Sequence, residues 1–580
     1  MKKIVLAVPA LFIGLLACTP PMPVVIIEPP LDVSTCTTQI SSANSNNIIS
    51  SNTTWVNSAS SCDYLVKSNV TLNSVLTIEA GATIVFEGGL GMSVAAGGTL
   101  TAIGNSSNRI LFRGKTPDAG LWKGIAIDSS TTNQMAFTTV KHAGSLASQY
   151  GAIYVSGGRL ALTDSSVDNN SQYGLYSSSN TSNLDGFARN TFFANGRSGV
   201  NVYPPQLKSL DAASKYQSSG QNNEAPNTDP WVNVKGGSLP AADVTSMVAT
   251  TYRVEGILET NGNMTIAPST SILFTGGGTF KITGGGMLTA VGTFGQPITF
   301  RGQTETAGFW DGITIGSSTS NQMAFVNVKD TGANASIPAA IYLSGAKLSL
   351  QDSRISNNSK NGLVIAASTS DITGFARNIF SGTALSGVRL LAQQLKSLDL
   401  ATNYHGTGAG NTPNGQAYIE VSASNLVAAD VVSVIPQTYR VLAGFGVSGA
   451  LTIQAGAILE FASGADLDVS ATGSLIAIGT STNRIQFRGA TASAGFWKGI
   501  TITSSNTTNR LEFADVSHTG SSATRQGAVF MNGASKLSIK DSSFSNNSYF
   551  GIYRDSVGST LTDISGNTFL NNPLGDIRNP

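Results

Sequence analysis

The chain has 580 residues, and only 12% of them are charged, with 34 lysines and arginines set against 33 aspartates and glutamates. An average domain carries about 25% charge, so most of this surface must be uncharged and polar. With no basic cluster to displace counterions, nucleic acid is disfavoured as a partner, and large apolar residues at regular positions argue against disorder.

The N-terminus carries Lys2 and Lys3 and then an apolar run over 4–16. That run is too short, and too soon followed by prolines, to cross a bilayer as a permanent helix, so 1–17 reads as an export signal. Leu15-Leu16-Ala17-Cys18 resembles the lipobox of bacterial lipoproteins. The resemblance implies cleavage before Cys18 and lipid on its sulfur, and two or three acyl chains anchor a protein stably where one does not. Residues 18–34, including TPPMPVVIIEPP, have no helical or alternating period and read as a semi-stiff tether. Thr19 in place of Asp implies, by resemblance to enterobacterial sorting, the outer membrane or cell surface of a bacterial envelope. Cys36 and Cys62 remain, an even pair that in an exported chain is most simply one disulfide. Its loop would contribute roughly 3 kcal/mol in the chain-entropy model. Residues 35–62 are expected to cover the N-terminal end of the fold. His142, His405 and His518 are scattered and make no metal pattern.

From residue 63 onward the sequence is written three times. GLWKGIAI (120–127), GFWDGITI (308–315) and GFWKGITI (495–502) recur with NRILFRG (108–114), QPITFRG (296–302) and NRIQFRG (483–489), at spacings of 187 to 189 residues. LALTDSSVDNNS (160–171), LSLQDSRISNNS (348–359) and LSIKDSSFSNNS (537–548) keep the same interval. These phrases divide the chain into modules over 63–230, 231–417 and 418–580. Within each, runs of three to six residues alternate Val, Ile, Leu or Phe with polar residues and end on Gly, Ser, Asn or Asp, the pattern of strands and turns. QLKSLDAASKY (206–216) and QLKSLDLATNY (394–404) are expected to form a short helical turn in a connector.

A sandwich would join partner strands by two-residue Asn-Gly or Asp-Gly turns, and the turns here are longer and rich in Ser, Thr and Asn; propeller blades would repeat at about 40–50 residues, and the strongest period here is far longer. A coiled solenoid remains, in which aliphatic side chains pile up inside and Asn-Asn-Ser marks a repeated corner. The phrases LTIEAGATIVF, GGTLTAIG, ILFRG and GLWKGI resemble the right-handed parallel β-helix proteins of the pectate-lyase-like superfamily, and bacterial surface proteins on that fold. The resemblance implies an all-β, right-handed parallel β-helix of three tandem homologous modules. At roughly 22 residues per turn and ~4.8 Å per rung, that predicts about two dozen rungs, eight per module, and a rod on the order of 110 Å.

Trp122, Trp310 and Trp497 either pack at a rung corner or stack on sugars; sharing parity with the isoleucines of Gly-Ile-x-Ile favours packing. Arg113, Arg301 and Arg488 follow a buried Phe, and are expected to point outward, toward acidic sugars or a neighbouring carboxylate. Asp164, Asp352 and Asp541 read as turn-forming residues. No catalytic residue is assigned: Asn227-Thr228-Asp229 is the one phrase shared with polygalacturonases, and Gly-His-Gly and Arg-Ile-Lys are missing. No cofactor is called for; Asp466 and Asp468, on one strand face, are the pair at which Ca2+ would be sought. Positions 142, 330 and 518 change from His to Asp to His, variation that suits a spacer better than a reaction centre. The expected function is a lipid-anchored, non-catalytic envelope rod, structural or adhesive, with glycan as a partner. The alternative is a polysaccharide lyase or glycoside hydrolase.

Overall fold

A computed structural model describes residues 28–218, 220 and 224–580; the leader 1–17 and Cys18 lie outside the described residues. The short alternating runs are strands, and they coil. Thr83–Phe86, Gly91–Val94 and Thr99–Ile103 make one rung, and Ile110–Gly114 returns to lie parallel on Thr83–Phe86, with Phe112 beside Ile84 and Gly114 beside Phe86. The same register continues along the chain, so the fold is a parallel β-solenoid. Inward residues such as Ile84, Phe112 and Val140 stack on one another at the same corner and are fully buried. Burial of that kind stabilises by about 25 cal/mol per Å² of apolar surface.

Fourteen rungs run in one sheet as far as Ile379–Thr383, and seven more carry the coil to Thr568–Leu570 and the final strand Ile577–Arg578, about 21 turns in all. At ~4.8 Å per rung the rod is about 100 Å long. It is shorter than the sequence suggested because loops such as 115–123 and 142–150 lengthen the turns.

Equivalent strands of the three sequence copies lie on different faces. Ile110–Gly114 belongs to the first sheet, Ile298–Gly302 to the sheet that holds Gly124–Ile127, and Ile485–Gly489 to the sheet that holds Gly312–Ile315. From Gly124–Ile127 to Ile298–Gly302 is seven steps along one sheet. Each copy therefore climbs seven rungs and turns onto the next face. The connectors carry this offset: QLKSLD forms the short 3-10 helices Pro204–Ser209 and Ala392–Ser397, after which Val232–Val234 pairs with Val200–Val202 and Ile419–Val421 with Val388–Leu390.

The segment 35–62, expected to cover the N-terminal end, contributes strands to the coil. Thr38–Ile40, Asn46–Ile49 and Thr53–Trp55 are the first rung itself, paired with Tyr64–Val66, Asn69–Leu72 and Val75–Ile78. Cys36 and Cys62 are joined by a disulfide. The described part of the proline-rich tether is not a free spacer. It lies along the outside of the first sheet, where Leu31, Val33 and Cys36 pack on Leu65 and Val85.

The corners explain the Asn-Asn-Ser phrase. Asn169, Asn357 and Asn546 adopt φ of 52°, 53° and 54°, the left-handed region in which Asn is tolerated. The next residue, Asn170, is buried; its Oδ1 accepts from the Ala143 N–H at 2.9 Å and its Nδ2 donates to Asn195 Oδ1 at 2.9 Å. Asn195 in turn donates to Asn227 Oδ1 at 2.8 Å. Polar groups that the core would otherwise strand are paired rung to rung. Replacing the middle of this stack, Asn195→Ala, is expected to cost roughly 1–3 kcal/mol and to speed amide exchange in rungs on both sides, read by denaturant titration and hydrogen exchange.

Candidate functional site

The repeated octamer builds a corner and, beside it, a groove. Trp122, Trp310 and Trp497 are fully buried, stacked on Phe86, Phe274 and Phe461 with centroids 4.0, 4.3 and 4.0 Å apart. Each indole N–H donates to a backbone carbonyl of the next rung: Lys141 at 2.8 Å, Lys329 at 2.7 Å and Ser517 at 2.8 Å. No ring face is left for a sugar, so these three tryptophans serve packing. The glycine two residues on is equally constrained. Gly124 has φ of +110°, and a Cβ there would lie 2.4 Å from the Ala152 carbonyl oxygen. Between the two sits the residue that varies among the copies, Lys123, Asp311 or Lys498; Asp311 is buried and accepts from Thr279 at 2.7 Å.

In the first copy Lys123 stands on the rim of a cleft of about 410 Å³ on the second face. Outward residues in register, Thr71, Ser93 and Ala126, make its floor, and the same row continues beyond it with Tyr154 and Tyr176. Lys123 Nζ donates to Asn69 Oδ1 at 3.1 Å, and loop residues Leu146 and Gln149 overhang the other side. The tyrosines form an aromatic platform: Tyr154 and Tyr176 lie parallel at 5.9 Å, and Tyr150, 43% exposed, meets Tyr176 at 5.4 Å. Burial raises the Tyr176 hydroxyl above its ordinary value, so it remains a neutral donor at physiological pH. A floor of small side chains beside stacked aromatics, rimmed by amide and ammonium groups, suits a flat polar ligand.

The equivalent outward row recurs in altered chemistry. In the second copy the floor reads Lys281, Thr314, Tyr342, Val364, and in the third Asp468, Thr501, Phe530, Tyr553. The third is occupied by its own loop. Arg525 reaches down to Asp468 at 2.8 Å and Asp466 at 3.2 Å, and Lys498 meets Asp466 at 3.1 Å. Asp466 and Asp468, the pair considered for Ca2+, are thus neutralised by cations. Among the described residues no group of three or more His, Cys, Asp or Glu is placed to hold a metal.

The FRG arginines are paired rather than free. Arg488 meets Glu460 at 2.7 Å, and Arg301 meets Glu305 at 3.4 Å. Arg113, expected on the surface, is buried, its side chain 5% exposed, and meets Glu28 at 2.6 Å. Glu28 also accepts from Lys141 at 2.6 Å and lies 3.6 Å from His142 Nε2. Burial alone would raise the Glu28 carboxyl, but the hydrogen bond and charge of Lys141, with Arg113, hold it below its usual range. Asp164 and Asp352 sit at left-handed corners, each clasped by an arginine, Arg189 or Arg377, at 2.6 Å. Asn227 belongs to the corner stack, and His405 bonds Gln437 at 3.0 Å. Positions 142, 330 and 518 share φ of 65°, 69° and 65°, a corner that His and Asp both tolerate, which accounts for their exchange.

The sequence signalled the corner and missed the groove. Tyr154 and Tyr176 are 22 residues apart, and only rung stacking makes them neighbours. The fold defines the class: this is a parallel β-solenoid protein. Compared with known proteins, the chain matches no family model, and no curated protein is significantly similar to it.

His142 carries a testable consequence. Burial first, then Lys141 and Arg113, push its pKa down to about 4, against the opposing pull of Glu28. A histidine depressed from 6.5 favours the fold fully above pH 6.5 and loses that contribution as pH falls toward 4 and below. The first copy should therefore lose about 3 kcal/mol over that interval, and His142→Gln should flatten the decline in a stability-versus-pH series.

Proposed function

We propose that the protein is a non-catalytic, lipid-anchored rod of a bacterial cell envelope, structural and adhesive, that holds glycan in the groove of its first copy. The observation that supports this reading is the contrast among the three grooves. The third has its carboxylates covered by Arg525 and Lys498, while the first leaves stacked tyrosines and an amide-lined rim without such a plug. Aromatic faces supply sugar affinity with little loss of side-chain freedom, and the rim supplies hydrogen bonds. Because the copies turn from face to face, the first groove and its counterparts look in different directions, an arrangement suited to a rod among polymers.

A glycan array probed with the mature chain is expected to give a defined binding profile. Tyr154→Ala and Tyr176→Ala should each weaken it about ten-fold, the loss of one stacking contact, while Tyr342→Ala leaves it unchanged. Release of unsaturated or newly reducing sugars from pectins, alginates or glycosaminoglycans would instead favour the lyase or hydrolase reading. Anchoring is tested separately: a labelled fatty acid should enter the wild-type chain and not Cys18→Ala, and an unlabelled wild type would end that part of the proposal.

A further inference from the structure

The first sheet is overlaid by residues 28–36, and the strap runs against the growth of the coil. Its Glu28 end lies beside Arg113 and Lys141, whose strands are the fourth and fifth of that sheet, and its Cys36 end is tied by the disulfide at the first rung. The outward residues beneath it are apolar: Leu65 and Val85, in register with each other and with Arg113. In the other copies the same positions read Arg253, Leu273, Arg301 and Arg440, Glu460, Arg488. There the arginines find carboxylates inside their own copy. Glu305 serves Arg301 and Lys329, at 3.4 and 3.0 Å, and Glu460 serves Arg440 and Arg488, both at 2.7 Å. In the first copy the carboxylate comes from 85 residues away in the chain.

The site and its occupant are held very differently. Arg113 and His142 are built into the coil, with side chains 5% and 2% exposed, whereas Glu28 is 33% exposed. Arg113 Nη2 is buried with no hydrogen-bond partner, a donor still open to an oxygen. The strap's bond from the Leu31 N–H to the Lys115 carbonyl is long, at 3.4 Å. Glu28 itself defines the ligand chemistry, since one carboxylate oxygen takes Arg113 and the other takes Lys141.

We propose that Arg113, Lys141 and His142 form a carboxylate-binding site that Glu28 fills as an exchangeable internal ligand, and that a uronic acid carboxylate, free or polymer-borne, displaces it and releases the strap. Displacement uncovers Leu65 and Val85 and frees residues 28–35 from the first sheet. This site is on a different face from the tyrosine groove and stands or falls independently of it.

Hydrogen exchange on the full chain tests the proposal, with galacturonate as probe, galactose as its neutral control and polygalacturonate as the polymeric arm. Galacturonate at saturation should speed exchange of amides 31–34 at least ten-fold, and galactose should not. The polymer acting where the monomer fails would assign the ligand to a polymer-borne uronate; the monomer sufficing would assign it to the free acid. In Glu28→Gln the same amides should exchange fast without ligand, and galacturonate should bind at least ten-fold tighter than to wild type. Adding Arg113→Met, or Lys141→Met if that chain fails to fold, should abolish binding, whereas Tyr176→Ala should leave it intact. The proposal is overturned if neither uronate probe alters exchange and a natively folded Glu28→Gln chain binds neither, or if binding depends on Tyr176 rather than on the cations.

Discussion

Parallel stacking at one rung spacing is the constraint from which the rest of this molecule follows. Each strand must lie in register on its predecessor, so whatever a position holds meets its counterpart one rung above and below. Inside, this turns Ile84, Phe112 and Val140 into a continuous column. At corners, where backbone leaves the ladder, it turns Asn170, Asn195 and Asn227 into a chain of amide bonds. Outside, it brings Arg440, Glu460 and Arg488 into one line of alternating charge, which lets a chain with few ionic groups satisfy those it buries.

The same constraint explains why copying a block lengthened the rod without multiplying its sites. A copied block brings its corner, and the buried tryptophan and left-handed glycine that make the corner are kept. The residue between them varies: the first and third copies place a lysine there, Lys123 and Lys498, and the second a carboxylate, Asp311, that accepts from Thr279. Since each copy ends one face beyond where it began, equivalent surfaces do not line up along the rod. The outward rows differ accordingly, from Ser93 and Tyr176 in the first copy to Asp468 under Arg525 in the third.

The N-terminal segment shows the cost of departing from repetition. An arginine that finds Glu305 or Glu460 locally in two copies is left in the first with a buried positive charge. A buried charge without a partner is strongly unfavourable, and Glu28 supplies that partner from the strap. The strap also covers Leu65, apolar on an outer face where the later copies carry Arg253 and Arg440.

Much of this was legible in the sequence, for a definite reason. Alternation of apolar residues, punctuation by Gly and Asn, and the 187-to-189-residue interval are local properties, and each maps directly onto strand, corner and copy. Parity alone favoured a packed Trp122, and the structure buries it. What the sequence left undecided were relations between rungs: that Tyr154 lies over Tyr176, that Arg525 reaches Asp468, that 35–62 forms the first rung, and that Glu28 meets Arg113. Register and loop length set those contacts jointly, and only the coiled chain adds up every turn before a residue to decide which face it occupies and which neighbour it meets.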